Sequence, residues 1–214
     1  MSNFTPKEVL IVSCGLGNIY NLCRAVSSIG MLPILSDKPE DIVKARVVIL
    51  PGVGSFNTGM ERLQQSGLNE AITSHVQQGK HLLGICLGMQ LLFDSSEENG
   101  YRKGLSILSG DVKRLNHHGC KIPQINWNFL EKPTPTIDWD KGLLKGITDP
   151  CMYFIHSFGV SIENNPHAVA KTTHGENSFC SVVNRENIWG CQFHPEISGK
   201  QGLKMIENFL MGCD

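Results

Sequence analysis

The stretch from His81 to Phe93 limits the folds open to this chain more than any other. His81-Leu82-Leu83-Gly84-Ile85 is an apolar run with the length of a buried strand, and Met89-Gln90-Leu91-Leu92-Phe93 reads as the start of a helix. Between them stands Gly84-Ile85-Cys86-Leu87-Gly88. Glycines flanking a nucleophilic side chain at a strand-to-helix turn form the pattern of a nucleophile elbow. The glycines permit a turn too tight for side chains, and the thiol of Cys86 is held at its tip.

The rest of the first half supplies the sheet such a turn needs. Glu8-Val9-Leu10-Ile11-Val12, Leu32-Pro33-Ile34-Leu35 and Val47-Val48-Ile49-Leu50 read as short buried strands. Helices are predicted from about Asn18 to Ile29, closed by Gly30, and from Leu68 to Gln78, closed by Gly79. Apolar strands separated by helices imply a parallel sheet covered on both faces. The second half is different. Asp111 to Leu115, Cys151 to Phe158, His167 to Thr173, Phe179 to Asn184 and Ile188 to Phe193 are short candidate strands with turn residues between them, expected as antiparallel additions to that sheet. Gln201 to Met211 reads as an amphipathic helix. The expected architecture is α/β: a three-layer sandwich around a mostly parallel sheet. Glu131 to Thr136 is too short a loop to separate domains, so one domain over residues 1–214 is expected.

Composition narrows the function. With 214 residues, 41% of them hydrophobic, the chain can bury a full core. A net charge of -1 without a basic tract gives no footprint for nucleic acid. No apolar stretch reaches the roughly 20 residues that span a bilayer, and the N-terminus lacks a signal-peptide pattern, so a cytoplasmic location is expected. The 8 cysteines include no C-x-x-C pair, which removes zinc-knuckle and thioredoxin-type readings. All but Cys86 are expected to be free thiols without a catalytic role.

A thiol at the start of a helix meets unpaired N–H groups that favour the thiolate. Phe193-His194-Pro195-Glu196, far downstream, offers a base and a carboxylate to orient it. On an extended segment His194 and Glu196, two apart, point to one face, so Glu196 can fix the tautomer of His194. An oxyanion formed by thiolate attack needs donors. The amide of Leu87 is one candidate, and the glycine-rich Pro51-Gly52-Val53-Gly54 after the third strand is expected to supply another. Each piece alone has an ordinary explanation, as packing cysteine, solvated histidine or surface turn. Their joint occurrence in this order carries the reading.

Pro51 to Phe56, Gly84 to Gln90 and Phe193 to Glu196 together resemble a class I glutamine amidotransferase domain. Gly15 to Ile19, Trp127-Asn128 and Tyr153 to Phe158 extend the resemblance to the glutaminase subunit (HisH type) of imidazole glycerol phosphate synthase. The resemblance implies a glutaminase in which Cys86 is the nucleophile, His194 the base and Glu196 its orienter. Gln90, the backbone at Gly52 and the segment near Ser157 would hold glutamine, with Val53 and Leu87 as oxyanion donors. Asn18, Asn21, Trp127 and Asn128 would face the partner. That partner is a HisF-type (βα)₈-barrel synthase subunit, joined in a heterodimer and fed ammonia through a tunnel; no cofactor or metal is implied for this chain.

Three segments depart from the family pattern. Ser13-Cys14-Gly15 replaces Asp-Tyr-Gly, Gln124-Ile125-Asn126 stands within the usual Pro-His-Met-Gly-Trp-Asn, and Ile197 replaces a lysine. In the family these lie near the partner-facing surface, so the alternative is a paralogue supplying ammonia to a synthase that amidates a surface-polysaccharide sugar. A binding module on the same scaffold would be expected to lose the thiol or the base. A cysteine peptidase would often draw its histidine from elsewhere.

Overall fold

The computed structural model describes residues 5, 7–15 and 19–213. Asn18, expected at a helix start and at the partner face, lies outside them. Among the described residues, β1 (Glu8–Val12), β2 (Leu32–Ser36), β3 (Val47–Leu50) and β4 (His81–Ile85) join β11 (Ala168–His174), β12 (Asn177–Arg185) and β13 (Ile188–Cys191) in one sheet. Its order is β11-β12-β13-β4-β3-β1-β2. The strands from β13 to β2 run parallel, while β12 is antiparallel to both β11 and β13.

Alternation of apolar side chains explains why helices cover both faces. Val9 and Ile11 of β1 point to one core with Leu22 and Val26 of α1 (Ile19–Ser28) and Ile206 and Phe209 of α6 (Gly199–Met211). Leu10 and Val12 point to the other. There they meet Ile42 of α2 (Pro39–Lys44), Met60 and Leu63 of α3 (Phe56–Gln65) and Ile72 of α4 (Leu68–Gln77).

The helices α2 and α3 are absent from the sequence reading. The first is short and begins at Pro39, whose fixed φ suits a helix start but reads as a turn. The second opens with Asn57-Thr58-Gly59, which masks its stripe of Phe56, Met60 and Leu63; Ser55 caps it by accepting from Thr58 N–H at 3.3 Å.

The expected antiparallel additions are only partly in the central sheet. β11 and β12 are, but β13 is parallel to β4. Four short strands form a second sheet in the order β10-β7-β5-β6: β5 (Ser95–Ser96), β6 (Arg102–Lys103), β7 (Asp111–Arg114) and β10 (Phe158–Val160). A two-stranded ribbon pairs β8 (Gln124–Phe129) with β9 (Cys151–His156). The single strand expected over Cys151 to Phe158 is therefore two, broken at Ser157, which serves different sheets on its two sides. The ribbon buries Met152, Phe154 and His156 and turns Ile125, Trp127 and Phe129 outward.

The elbow lies where adjacent strands β13, β4 and β3 end at the same edge. It is a close backbone contact: a Cβ added to Gly88 would lie 1.8 Å from the Leu50 carbonyl oxygen. The helix that follows, α5 (Leu87–Leu91), has 5 residues, because the carbonyls of Leu91, Leu92 and Phe93 accept from the amides of 105–108 rather than continuing the helix. We expect Gly88→Ala to force β3 from the elbow and lower unfolding free energy by about 1–3 kcal/mol or more. Urea unfolding followed by far-UV circular dichroism checks this.

Candidate active site

Cys86 adopts φ 53°, ψ -112°, a conformation that side-chain-bearing residues rarely take. Its N–H donates to the Cys191 carbonyl on β13 at 2.8 Å, and its carbonyl accepts from Gln90 N–H at 3.1 Å, so the strain is held from both sides. The helix behind it, with 5 residues, is too short for a large macrodipole.

His194 comes from beyond the end of β13, the strand beside β4. Its Nδ1 lies 2.8 Å from Glu196 Oε1, both side chains being buried. The reach differs from the expected extended segment: Pro195–Ile197 is a 3-10 turn, and the turn, not strand alternation, carries Glu196 back to the ring. The pair leaves Nε2 of His194 for Cys86. That atom has no hydrogen-bond partner of ordinary geometry, yet Cys86 is near enough to act on the ring. Burial by itself would lower the His194 pKa. Hydrogen bonding and charge from Cys86 and Glu196 outweigh it and raise the imidazole to about 10. The balance favours the protonated imidazole.

A cavity of about 300 Å³ opens on the sulfur, lined by Val53, Gly54, Cys86, Leu87, Gln90, Glu98, Pro123 and residues 155–158. Gln90 is buried; its amide nitrogen donates to the Phe158 carbonyl at 2.9 Å and to Gln192 Oε1 at 3.0 Å. Ser157 is half-buried in the wall, its carbonyl accepting from Leu115 N–H at 2.9 Å. Gly52 sits against the elbow, where a Cβ would come within 2.9 Å of Gly88 N. The Leu87 amide, expected as an oxyanion donor, points instead at the Gly52 carbonyl, 3.3 Å away. Val53 borders the cavity on the same segment.

Of the residues expected to face a partner, Trp127 stands out from β8 and Asn21 is half-buried on α1 beside Tyr20 and Arg24. Asn128 is engaged within the chain: its Nδ2 donates to the Thr173 carbonyl at 2.9 Å.

Three polar residues of the site are missing from the sequence reading. Glu98 is the carboxylate among the cavity-lining residues, and its Oε2 accepts from Phe56 N–H at 2.7 Å. In sequence it stands in Glu97-Glu98-Asn99-Gly100, a plain solvated turn. Gln192 places its amide nitrogen 3.7 Å from Cys86 Sγ; two positions before His194, it could have been found by asking what else the β13 edge presents. His156 lines the cavity, its Nδ1 lying 2.8 Å from the Phe158 carbonyl. Burial lowers it to about 4, with the charges of His174 and His194 adding to that against the upward pull of the Phe158 carbonyl.

Comparisons over the whole chain identify its family. Residues 10–213 match the family model "Glutamine amidotransferase class-I". A subunit from Cyanophora paradoxa described as "Imidazole glycerol phosphate synthase subunit hisH" is 40% identical over 210 residues, 97% of this chain and 95% of that one. A subunit from Symbiobacterium thermophilum with the HisH description is 40% identical over 209 residues, covering 97% and 95%. Among solved structures, a "glutamine amidotransferase" superposes with TM-score 0.74 at 19% identity, over 96% of this chain and 98% of that one. PurLQS from Thermotoga maritima gives 0.68 at 20%, over 97% and 99%. The chain belongs to the class-I glutamine amidotransferase family. Its relatives at this identity carry the description of HisH subunits, and it is accordingly a glutamine-hydrolysing enzyme subunit.

The raised imidazole has a consequence for stability. A folded-state pKa near 10 against about 6.5 unfolded stabilises the fold fully below pH 6.5, and that contribution is lost as pH rises toward 10. Thermal unfolding scanned over this range is expected to fall in wild type and to fall less in Glu196→Gln, which removes one of the charges holding the proton.

Proposed function

We propose that the chain hydrolyses glutamine to glutamate and ammonia through Cys86, His194 and Glu196, and hands the ammonia to a HisF-type (βα)₈-barrel subunit. Together they would make imidazole glycerol phosphate and the aminoimidazole carboxamide ribotide AICAR in histidine biosynthesis. One observation carries this reading: His194, tied through Nδ1 to Glu196 at 2.8 Å, lies beside the sulfur of a strained elbow.

The chemistry follows from that state. The Cys86 thiolate attacks the glutamine carboxamide carbon, and the carbonyl oxygen becomes an oxyanion. His194 gives its proton to the nitrogen, the carbon–nitrogen bond breaks and ammonia leaves, with a thioester remaining on Cys86. Water then attacks the thioester with His194 taking its proton, and glutamate departs as the sulfur is regained. Glu196 stabilises the imidazolium whenever His194 carries the proton. Gln90 and the wall at Ser157 border the cavity that would take the substrate, and the Glu98 carboxylate suits its ammonium group.

Activity must wait on the oxyanion donors. The Leu87 N–H is committed to the Gly52 carbonyl. Turning the Gly52–Val53 peptide would withdraw that carbonyl and present the Val53 N–H beside that of Leu87, a change that partner docking could drive. A partner surface of the right character stands nearby: Ile125, Trp127 and Phe129 are 56, 53 and 56% exposed and Ile155 is 42% exposed on one face of the β8–β9 ribbon. Trp127 packs on Tyr153 across it with ring centroids 6.0 Å apart. Such an outward apolar patch marks an interaction site.

The second reading, a paralogue serving sugar amidation, draws on the same ribbon. Gln124 and Asn126 depart from the family pattern there, and Ile197 is exposed next to Glu196. Histidine biosynthesis ranks first because the relatives that match over nearly the whole chain are described as HisH subunits. Both readings suit a cytoplasmic, single-domain chain; no helix among the described residues is long and apolar enough to cross a membrane.

Glutamate release from glutamine tests the reaction. Cys86→Ser is expected to lose about 10³-fold or more; unchanged turnover would exclude the sulfur as nucleophile. The isolated chain is expected to turn over slowly and to be activated by its barrel subunit carrying that subunit's ligand. Full speed alone would remove the need for a peptide turn.

A further inference from the structure

Gln192, at 0% exposure, is a wholly buried amide beside the nucleophile and stands outside the triad. It follows β13 directly, and its backbone N–H donates to the Ser181 carbonyl of β12 at 3.0 Å. The carbonyl of Cys191, one residue earlier, accepts the Cys86 N–H at 2.8 Å, so one stretch of backbone both mounts Gln192 and braces the elbow. The side chain is oriented by its neighbour. Gln90 donates from its amide nitrogen to the Phe158 carbonyl at 2.9 Å and to Gln192 Oε1 at 3.0 Å. A backbone carbonyl can only accept, so Phe158 sets the direction of the Gln90 amide. The Gln90 nitrogen then needs an acceptor on Gln192. That turns the Gln192 oxygen toward Gln90 and its nitrogen toward the sulfur, 3.7 Å from Cys86 Sγ. Exchanging oxygen and nitrogen on Gln192 would set two donors against each other. The large radius of sulfur makes 3.7 Å a hydrogen-bonding distance.

We propose that Gln192 is a catalytic residue of the glutaminase, donating an amide N–H to the Cys86 sulfur and so stabilising its thiolate. The two protonation states of the sulfur have different partners. A thiol can donate to the Ile155 carbonyl, 3.9 Å away. A thiolate has no proton to give, and its charge makes it much the better acceptor for the Gln192 N–H. The titratable groups around the sulfur are His194 and Glu196 after β13, Cys191 on β13, and Glu98 and His156 in the cavity wall. Gln192 adds to them a donor that does not titrate. The sulfur is negative before it attacks the carboxamide and again as the thioester breaks, so one donor serves both moments. Gln192 stands behind the cavity lining, where it can act on the sulfur and not on glutamine.

The contact can be tested without glutamine, while its catalytic weight rests on the glutaminase reading, so two measurements keep them apart. The full chain and its Gln192→Met variant are alkylated with iodoacetamide over a series of pH values, and the Cys86 peptide is weighed. The variant is expected to reach half its maximal Cys86 rate about 1 pH unit higher. It is also expected to level off about 3-fold faster, because a less stabilised thiolate is the stronger nucleophile. An unmoved midpoint overturns the proposal, and a slower plateau at the same midpoint does so too, as the mark of lost packing. Should Gln192→Met fail to fold, the wild type decides. With glutamine side chains labelled with ¹⁵N, the Gln192 amide resonance is expected to titrate at the midpoint of Cys86 alkylation; a resonance indifferent to that titration overturns the contact. In glutamine hydrolysis below that midpoint, Gln192→Met is expected to lower kcat about 3-fold. Unchanged kcat would overturn the catalytic role. Absence of glutamate release by wild type would strike the glutaminase reading and leave alkylation to judge the contact.

Discussion

The close approach of two backbones at the end of the sheet governs the rest of the site. Gly88 lies so near the Leu50 carbonyl that no other residue fits there without displacing β3. That contact fixes the turn between β4 and α5, and the turn holds Cys86 at a positive φ with its sulfur facing out of the sheet edge. Parallel pairing of β13 with β4 then places the segment after β13 alongside, so His194 arrives beside the sulfur through strand order alone. Sheet topology brings together residues that most of the chain separates.

Electrostatics completes what topology begins. A buried histidine would ordinarily give up its proton; here the neighbouring sulfur and carboxylate hold it. The resulting group suits delivery of a proton to a leaving amine, while the opposing Leu87–Gly52 contact withholds an oxyanion donor. On the proposed reading, this arrangement would protect glutamine until a partner can use the ammonia. On the proposed reading, the apolar ribbon face beside the cavity would be the surface on which a partner docks.

The sequence makes some of this legible and hides the rest for physical reasons. The strands β1, β3 and β4 and the elbow are continuous apolar runs bounded by glycine, and local pattern suffices for them. The ribbon strand β8 is not seen because Gln124-Ile125-Asn126-Trp127-Asn128-Phe129 turns its apolar residues to the outside, so its alternation lacks the usual buried face. The division of Cys151 to Phe158 into two strands depends on which sheets receive each half, a long-range fact. Glu196 is foreseen as the partner of His194, but by the wrong geometry: a 3-10 turn does what strand alternation was expected to do. Glu98 and Gln192 carry no local signal of their place, since only folding brings the 97–100 turn over the elbow and aligns the end of β13 with it.

Covalent trapping tests the central claim most directly. The chain would be treated with a diazo ketone analogue of glutamine, which alkylates an attacking thiolate, then digested and its peptides weighed. The sequence holds 8 cysteines, and every thiol is a possible competitor. The account predicts one adduct, on Cys86, suppressed by excess glutamine and lost when His194 is replaced by alanine. An adduct on a different cysteine, or labelling of Cys86 that ignores both glutamine and His194, would contradict it.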